Sequence, residues 1–231
     1  MRHVVTGANR GIGLELVRQL AARGDLVEAC VRTPADATEL AALAGSKVRI
    51  HPLDVTDATS VGGLAAVLGD APIDVVFNVA GVNGGPRQSL GPMAEDLELR
   101  DVTRTIDVNA VGALRVAVAL LPHVRRGTAK MLVHVTSGMG SISDNTSGGF
   151  YAYRMSKAAL NMMSKSLAVD LRPEGIVSIV INPGWVKTDM GGSGAPIDVT
   201  TSATGILAQL DTLTAASSGE FLDYAGKSWT W

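Results

Sequence analysis

The stretch 6-TGANRGIG-13 decides the fold that this sequence predicts. It follows directly on a short apolar run, His3-Val4-Val5, and a helical pattern begins near Leu14. A strand, a glycine-rich turn and a helix N-terminus together form an anion site, because the turn lets the main chain approach a phosphate while unpaired helical N–H groups face it. The spacing Gly-x3-Gly-x-Gly differs from the Gly-x-Gly-x-x-Gly fingerprint of many dinucleotide-binding proteins. The stretch therefore predicts a nucleotide-binding α/β fold.

Short apolar runs continue to alternate with longer stretches of helical period along the chain. Further strands are predicted at residues 26–31, 48–50, 75–77, 131–135, 176–181 and 220–222, and helices at 13–22, 38–44, 60–68, 102–121 and 152–171. Pro122 and Pro173 fall where the last two helices should stop. The alternation predicts a Rossmann-type, doubly wound, mainly parallel seven-stranded sheet with helices on both faces. No linker divides the chain, so residues 1–231 should form a single dinucleotide-binding and catalytic domain.

Composition excludes several classes of protein. A formal net charge of −2 and the lack of a basic run give no reason to expect nucleic acid or a membrane surface as partner. No window reaches the roughly 18 apolar residues that a membrane span requires. The lone Cys30 excludes a disulfide framework, and the four histidines lack metal-ligand spacing. We expect a cytoplasmic protein without a metal site.

Polar and glycine residues collect at one topological position. The residues that follow the first six predicted strands are Gly7, Arg32, Asp54, Asn78, Ser137 and Pro183. In an open α/β sheet, ligands bind in the crevice outside the carboxyl ends of the strands. The sequence therefore predicts that these six residues line one crevice.

Six elements, in the correct order, resemble the motifs of the short-chain dehydrogenase/reductase family. They are 6-TGANRGIG-13, 78-NVAG-81, 107-DVNAVG-112, 133-VHVTSG-138, 151-YAYRMSK-157 and 183-PGWVKTDM-190. Val79 stands where the family has a second asparagine, so any contact of that side chain is missing. Within the family, residues 141–150 resemble the small carbonyl-reductase branch.

The resemblance implies a cofactor-binding set spread over these motifs. Its members are Thr6, Gly7, Asn9, Arg10, Gly11, Ile12, Gly13, Arg32, Asp54, Val55, Asn78, Ala80, Gly81, Tyr153, Lys157, Pro183, Gly184, Val186 and Thr188. Asp54 could equally cap the next helix, and the two roles are compatible.

The end of the second strand bears on which nucleotide binds. Val31 stands where NAD-type members tend to carry aspartate, and Arg32 follows it. With no carboxylate to repel a 2′-phosphate, Arg32 could bind it and Arg10 could approach from the other side. This favours NADP(H) over NAD(H). The alternative is that both arginines are ordinary solvated side chains.

The resemblance also implies a catalytic set of Asn109, Ser137, Tyr153 and Lys157. Reduction of a carbonyl needs a hydride for carbon and a proton for oxygen. A free tyrosine, with a pKa of about 10, is a poor acid near neutral pH. We expect Lys157, one helical turn away, to lower the pKa of Tyr153. Ser137 should donate a hydrogen bond to the substrate oxygen, and Asn109 resembles the residue that holds a relay water leading to Lys157.

Each of these assignments has a plainer alternative. Tyrosine and lysine four residues apart on a helix are usually a solvated pair, and Ser137 beside Gly138 could simply belong to a turn. The favoured function is an NADP(H)-dependent oxidoreductase that interconverts an aldehyde or ketone and an alcohol. A nucleotide-binding signalling or interaction protein of the same fold, with little turnover, is the alternative.

The sequence says less about substrate and assembly. About ten residues, from Met190 to Val199, separate the Pro-Gly motif from the next predicted helix, so the lid should be small and small or flexible carbonyl substrates are favoured. Met139, Trp185 and Met190 either present apolar surface to a substrate or belong to the core. Members of the family often associate through two long helices, here 102–121 and 152–171, which favours a homodimer or homotetramer, but monomers also occur in the carbonyl-reductase branch.

Overall fold

A computed structural model of the chain describes residues 1–85 and 98–231. Its centre is a seven-stranded, entirely parallel sheet in the order β3-β2-β1-β4-β5-β6-β7. The strands are β1 Arg2–Thr6, β2 Leu26–Val31, β3 Val48–Pro52, β4 Val75–Asn78, β5 Met131–Val135, β6 Val177–Asn182 and β7 Phe221–Asp223. The chain order reverses between β1 and β4, which creates a crevice at their carboxyl ends. The predicted fold class is confirmed.

Seven α-helices lie in the described part of the chain. They are α1 Gly11–Ala22, α2 Thr38–Ala41, α3 Ala58–Leu68, α4 Leu99–Ile106, α5 Gly112–Arg126, α6 Tyr151–Asp170 and α7 Val199–Leu210. The helix predicted at residues 38–44 is shorter than expected, because a 3-10 turn, Pro34–Asp36, precedes it and only one helical turn follows.

Both faces of the sheet are buried, which explains the continuous apolar runs of its strands. Successive side chains point to opposite faces. Val5 accordingly packs with Leu16 of α1 and Ile206 of α7, whereas Val4 packs with Leu64 of α3 and Leu120 of α5. The two helical layers leave the carboxyl edge of the sheet open for a site.

The expectation that a helix stops at Pro122 is wrong. Helix α5 continues through Pro122 to Arg126. Proline lacks the N–H that would bond to the carbonyl of Val118. Both residues lie on the solvent side, where Val118 is 60% exposed and water can satisfy that carbonyl. Pro173 does follow a helix end, in the turn Arg172–Glu174 directly after α6.

Helices α4 and α5 form one continuous rod, Leu99–Arg126, joined by a π-helical turn, Asp107–Val111. By length and composition this rod is apolar enough to cross a membrane. In the fold it is a core helix, because Val116, Leu120 and Val124 are fully buried against the sheet.

Candidate functional site

A cavity of about 1610 Å³ lies at the carboxyl edge of the sheet. The glycine loop, the ends of β2, β4, β5 and β6, and the first turns of α6 form its walls. Eighteen of the residues predicted for the site line it: Gly7, Asn9, Arg10, Gly11, Ile12, Gly13, Arg32, Asp54, Val55, Ala80, Gly81, Ser137, Tyr153, Lys157, Pro183, Gly184, Val186 and Thr188. Three others, Thr6, Asn78 and Asn109, are buried behind the wall.

Thr6 supports the site from inside the sheet. Its hydroxyl oxygen accepts hydrogen bonds from the main-chain N–H groups of Val79, at 3.0 Å, and Ala80, at 3.1 Å, and it donates one to the carbonyl of Phe77 at 3.4 Å. The chain leaving β4 is thereby fixed beside the glycine loop. Thr6 contributes to the cleft through this turn, although its own side chain does not face the cavity.

Asn78 is likewise a sheet residue rather than a wall residue. Its amide nitrogen lies 3.2 Å from Nδ1 of His134, which is buried in β5. Burial, and to a smaller extent the nearby charge of Lys157, lower the pKa of His134 to about 3, so the imidazole is neutral and can accept from Asn78. This pair ties β4 to β5 behind the cleft, and a contact of Asn78 with the cofactor stays a prediction.

The glycine loop is packed closely against the neighbouring main chain and leads into an uncapped helix end. Gly7 has φ of +67°, and a Cβ there would lie 2.8 Å from the Cα of Ala80. A Cβ on Gly13 would lie 2.3 Å from the carbonyl oxygen of Gly7. No side chain caps α1 and its first turn carries no acidic residue. The free N–H groups and the partial positive charge at this helix end therefore suit an anion.

The two arginines differ in their surroundings. Nη1 of Arg10 lies 2.6 Å from a carboxylate oxygen of Asp189, and both side chains are largely exposed. Arg32, also exposed, forms no ion pair within the described ranges, but its charge contributes to lowering the pKa of Asp54. Arg32 is thus free to meet an anion, whereas Arg10 is already paired. Asp189 is a contact that the sequence analysis missed.

Asp54 does not cap the next helix, contrary to one expectation. Asp57 directly precedes α3 and accepts a hydrogen bond from the N–H of Thr59. Asp54 instead accepts from the N–H and the hydroxyl of Thr56, at 2.9 and 2.6 Å, and these bonds are the main reason that its pKa is lowered. Asp54 is therefore a carboxylate held at the cavity wall.

Ser137, Tyr153 and Lys157 converge at the mouth of the cleft. Ser137 follows β5, and its hydroxyl accepts from the N–H of Met139 at 3.1 Å and is hydrogen-bonded to the phenol of Tyr153. Lys157 Nζ donates to the carbonyl of Val135 at 2.9 Å and lies 5.7 Å from the centre of the Tyr153 ring. Helix α6 presents Tyr153 and Lys157 on one face because they are four residues apart.

The expectation that Lys157 lowers the pKa of Tyr153 is wrong for this structure. Burial raises the pKa of the phenol more than the hydrogen bond with Ser137 lowers it. Burial also lowers the pKa of Lys157 to about 8. Desolvation penalises the charged form of each group, and at 5.7 Å from the ring the ammonium does not reverse this for Tyr153. The phenol is accordingly protonated at neutral pH.

Asn109 lies in the π-helical turn that joins α4 to α5. Its amide nitrogen donates to the carbonyl of Val82 and to the hydroxyl of Ser156, at 2.8 and 2.9 Å, while its oxygen accepts from the N–H of Val82 at 2.8 Å. A Cβ on Gly81 would lie 3.2 Å from that oxygen and 3.8 Å from Lys157 Nζ. Asn109 is close to Lys157, but both ends of its amide group bond to the main chain of Val82, in the segment that follows β4.

The far end of the cavity is apolar and open. Met139, Trp185 and Met190 all line it, and Trp185 and Met190 are 60% and 43% exposed, so neither is a core residue. The segment between residues 190 and 198 contains no helix, as expected for a small lid. Trp229 lines the same end. No sequence pattern indicated Trp229, because only the fold brings the end of the described chain to β5.

A parallel sheet with this strand order, a glycine cradle, and a serine, tyrosine and lysine at its carboxyl edge define a dinucleotide-binding fold of the Rossmann type. The sequence model of the family described as short chain dehydrogenase matches residues 2–196. This chain belongs to that family of oxidoreductases.

The four histidines lie outside any metal-binding group, since the described residues contain no cluster of three or more candidate ligands.

Individual relatives place the chain in the carbonyl-reductase branch. It is 48% identical over 160 residues to C-signal of Myxococcus xanthus, an alignment that covers 69% of this chain and 93% of C-signal. The structure of carbonyl reductase Sniffer of D. melanogaster superimposes with a TM-score of 0.92 and 34% identity, covering 100% of this chain and 99% of Sniffer. NADPH-bound carbonyl reductase from chicken fatty liver gives a TM-score of 0.91 and 33% identity, covering 100% and 98%.

Proposed function

We propose that this protein is an NADP(H)-dependent oxidoreductase that interconverts a small aldehyde or ketone and the corresponding alcohol. The observation that carries the proposal is the convergence of Ser137, Tyr153 and Lys157 at the mouth of a cleft whose other end is a glycine cradle. The whole chain, residues 1–231, would act as a single binding and catalytic domain. Following NADPH absorbance with a panel of aldehydes and ketones tests the activity.

The chemistry divides between the cofactor and the chain. A bound nicotinamide would supply the hydride for the carbonyl carbon. Tyr153, whose raised pKa keeps it protonated at neutral pH, gives its proton to the carbonyl oxygen. Ser137 donates a hydrogen bond to that oxygen as charge develops on it. Lys157 stabilises the phenolate that remains. Asn109 holds the main chain at Val82, next to Gly81, which lies between Asn109 and the Lys157 ammonium.

The residues along the cleft fit the parts of a dinucleotide. The N–H groups at the start of α1, in the wall of the cavity beside Gly11 and Gly13, would bind the diphosphate, and Asp54 and Val55 would line the adenosine end. The 183–188 segment and the turn at residues 80–81 would hold the nicotinamide half from either side. Two related structures, the chicken reductase and a Burkholderia multivorans dehydrogenase, contain NADPH and NADP respectively.

Arg32 is proposed to bind the 2′-phosphate. Replacing Arg32 with alanine should raise the Kd for NADPH about 10- to 100-fold and that for NADH less than about twofold, since a charged hydrogen bond to phosphate is lost only with NADPH. Fluorescence titration with both nucleotides measures this. Arg23, which is on the surface away from the cleft, is the matched control, and R23A should change neither Kd. Equal losses for both nucleotides with R32A would refute the role.

A second surface supports association into a homodimer or homotetramer. Ala110 of the π-helical turn and Ala113 at the start of α5 pack with Leu160 of α6. The turn, α5 and α6 also carry exposed large apolar side chains, here called the apolar band: Val111, Leu114, Val118, Met155, Met162 and Val169. An apolar band of this kind on a soluble fold is typical of a protein interface.

Light scattering should therefore find a dimer or larger assembly for the wild type. The change Val118→Glu should shift it toward the monomer, because a buried, unpaired carboxylate weakens an apolar interface. Val67→Glu is the control, since Val67 is 71% exposed but lies on α3, which is not one of the elements that carry the band. A monomeric wild type would contradict the proposal.

A cytoplasmic location is also proposed. The thiol of Cys30 is fully buried and free, and burial raises its pKa, so it stays reduced and unreactive. Cell fractionation tests the location. Neither nucleic acid nor a membrane is a proposed partner.

A further inference from the structure

Residues 228–231, here called the tryptophan segment, are fastened to the edge of the sheet. The N–H of Trp229 donates to the carbonyl of Phe221 at 2.7 Å, and Ser228 forms an antiparallel bridge with Leu222. The chain after β7 therefore folds back along that strand. This return brings the segment beside the loop that follows β5.

Three consecutive residues of the segment contact that loop, here called the serine loop, residues 137–143. The Trp229 ring lies against Gly138, where a Cβ would come within 3.0 Å of Cζ2. The hydroxyls of Thr230 and Ser141 are 3.4 Å apart. The carbonyl of Trp231 accepts from the N–H of Ser143 at 3.0 Å and from its hydroxyl.

Aromatic packing holds the segment in place. Phe221, which is only 2% exposed, has its ring centre 6.3 Å from that of Trp229 and 5.4 Å from that of Trp231. Nζ of Lys165, on α6, lies 5.6 Å from the centre of the Trp231 ring, within the range of a cation–π interaction. The segment thus joins β7, α6 and the serine loop.

The serine loop carries the hydroxyl on which the proposed chemistry depends. Its 3-10 turn, Gly138–Gly140, directs the N–H of Met139 to the Ser137 hydroxyl. On one side the turn rests on α6, where a Cβ on Gly140 would lie 2.9 Å from Lys157. On the other side it rests on Trp229. Because the Ser137 hydroxyl accepts from Met139, its own proton remains available for donation to a substrate oxygen.

We propose that the tryptophan segment is a positioning element that presses the serine loop against α6 and so orients Ser137. The inference rests on the proposed function of Ser137. Trp229 acts through packing, because its buried indole N–H has no hydrogen-bond partner among the described residues. A phenylalanine at position 229 would keep an aromatic ring beside Phe221 and remove the unsatisfied donor, but it is smaller than the indole and would keep only part of the contact with Gly138.

The test compares Trp229→Ala with Trp229→Phe. W229A should lower kcat about 10- to 100-fold, since small displacements of a positioned group have effects of this size, while the Kd for NADPH changes less than about threefold. W229F should lose clearly less kcat than W229A, because an aromatic ring still lies between Phe221 and the serine loop. Hydrogen exchange of the amides of Met139 and Ser143 should quicken more in W229A than in W229F.

Trp231→Ala provides a second variant, since Trp231 is 39% exposed and its loss is less disruptive to folding. W231A should also quicken exchange of the Ser143 amide. Trp185→Ala, in the lid, is the control for exchange and should leave the serine loop unchanged. The inference is overturned if exchange in the loop is the same in W229A, W231A and wild type, or if kcat falls as far in W229F as in W229A.

The two proposals fail in different ways. A wild-type protein that turns over no carbonyl would overturn the proposed function, and the exchange measurement would still decide whether the segment holds the loop. Turnover that is unaffected by W229A would overturn the positioning role alone.

Discussion

Replacing Tyr153 with phenylalanine is expected to lower kcat for carbonyl reduction on the order of 10³-fold, because the phenol is the proton donor in the proposed reaction. The ring and its packing remain, so the Kd for NADPH should change less than about threefold. Steady-state turnover with the best substrate of the carbonyl panel, together with nucleotide titration, measures both quantities. The pH profile of the remaining kcat should no longer show the change at high pH that ionisation of the Tyr153 phenol causes in the wild type.

The chain supplies its own control two residues earlier. Tyr151 also lies in the first turn of α6, but it has Met155 rather than a lysine four residues on and does not line the cavity. Tyr151→Phe should keep kcat within about twofold of the wild type. If Y153F is as active as Y151F, the proposed acid is wrong. If the wild type binds NADPH tightly but reduces no carbonyl, a binding or signalling role becomes the better reading.

The parts of this fold that were predictable are those encoded by local pattern. A glycine-rich turn between a strand and a helix is typical of the nucleotide-binding fold. Strands of a parallel sheet that is buried on both sides are apolar on both faces. Gly7, Gly13, Tyr153 and Lys157 therefore fell where the motif spacing and the sheet topology placed them. The helical period also separated Tyr153 from Tyr151, since only one of them shares a face with Lys157.

What escaped prediction depends on contacts between distant parts of the chain. Pro122 does not end α5 because the carbonyl that it leaves unpaired faces solvent, which the sequence alone does not reveal. The pairing of Arg10 with Asp189 joins residues 179 positions apart. The pKa of Tyr153 depends chiefly on burial, which outweighs the hydrogen bond with Ser137, and the spacing to Lys157 alone does not reveal that burial.

Lys157 should be costly to the stability of the cofactor-free protein. Burial lowers its pKa from 10.5 to about 8. Between those two values the unfolded chain binds a proton that the folded chain does not, so the free energy of unfolding rises with pH across this window. Below about pH 8 the folded protein holds a buried charge, and the difference in pKa corresponds to on the order of 3 kcal/mol.

Replacing Lys157 with methionine should remove this pH dependence of the free energy of unfolding, and it should also greatly reduce turnover. The variant loses the hydrogen bond to the Val135 carbonyl, at a cost of about 1 to 3 kcal/mol, so its stability at pH 7 should be equal to or above that of the wild type. Between pH 7 and pH 10, the free energy of unfolding of the wild type should rise by about 2 to 3 kcal/mol relative to that of the variant. Turnover should fall at least about 10²-fold, because the charge that stabilises the phenolate is gone.

Denaturant unfolding of both proteins at pH 7 and pH 10, without nucleotide, measures the difference. Lys47→Met is the matched control: Lys47 is fully on the surface before β3, and its replacement should shift the two unfolding curves equally at both pH values. Because Lys157 lies 5.7 Å from the Tyr153 ring, the same pair of measurements in a Tyr153→Phe background removes the contribution of the phenol's own ionisation at pH 10. Parallel pH dependence in wild type and K157M would mean that Lys157 is not desolvated. A gain in stability beside a loss of turnover would mean that the site keeps a buried charge at the expense of stability because the reaction needs it.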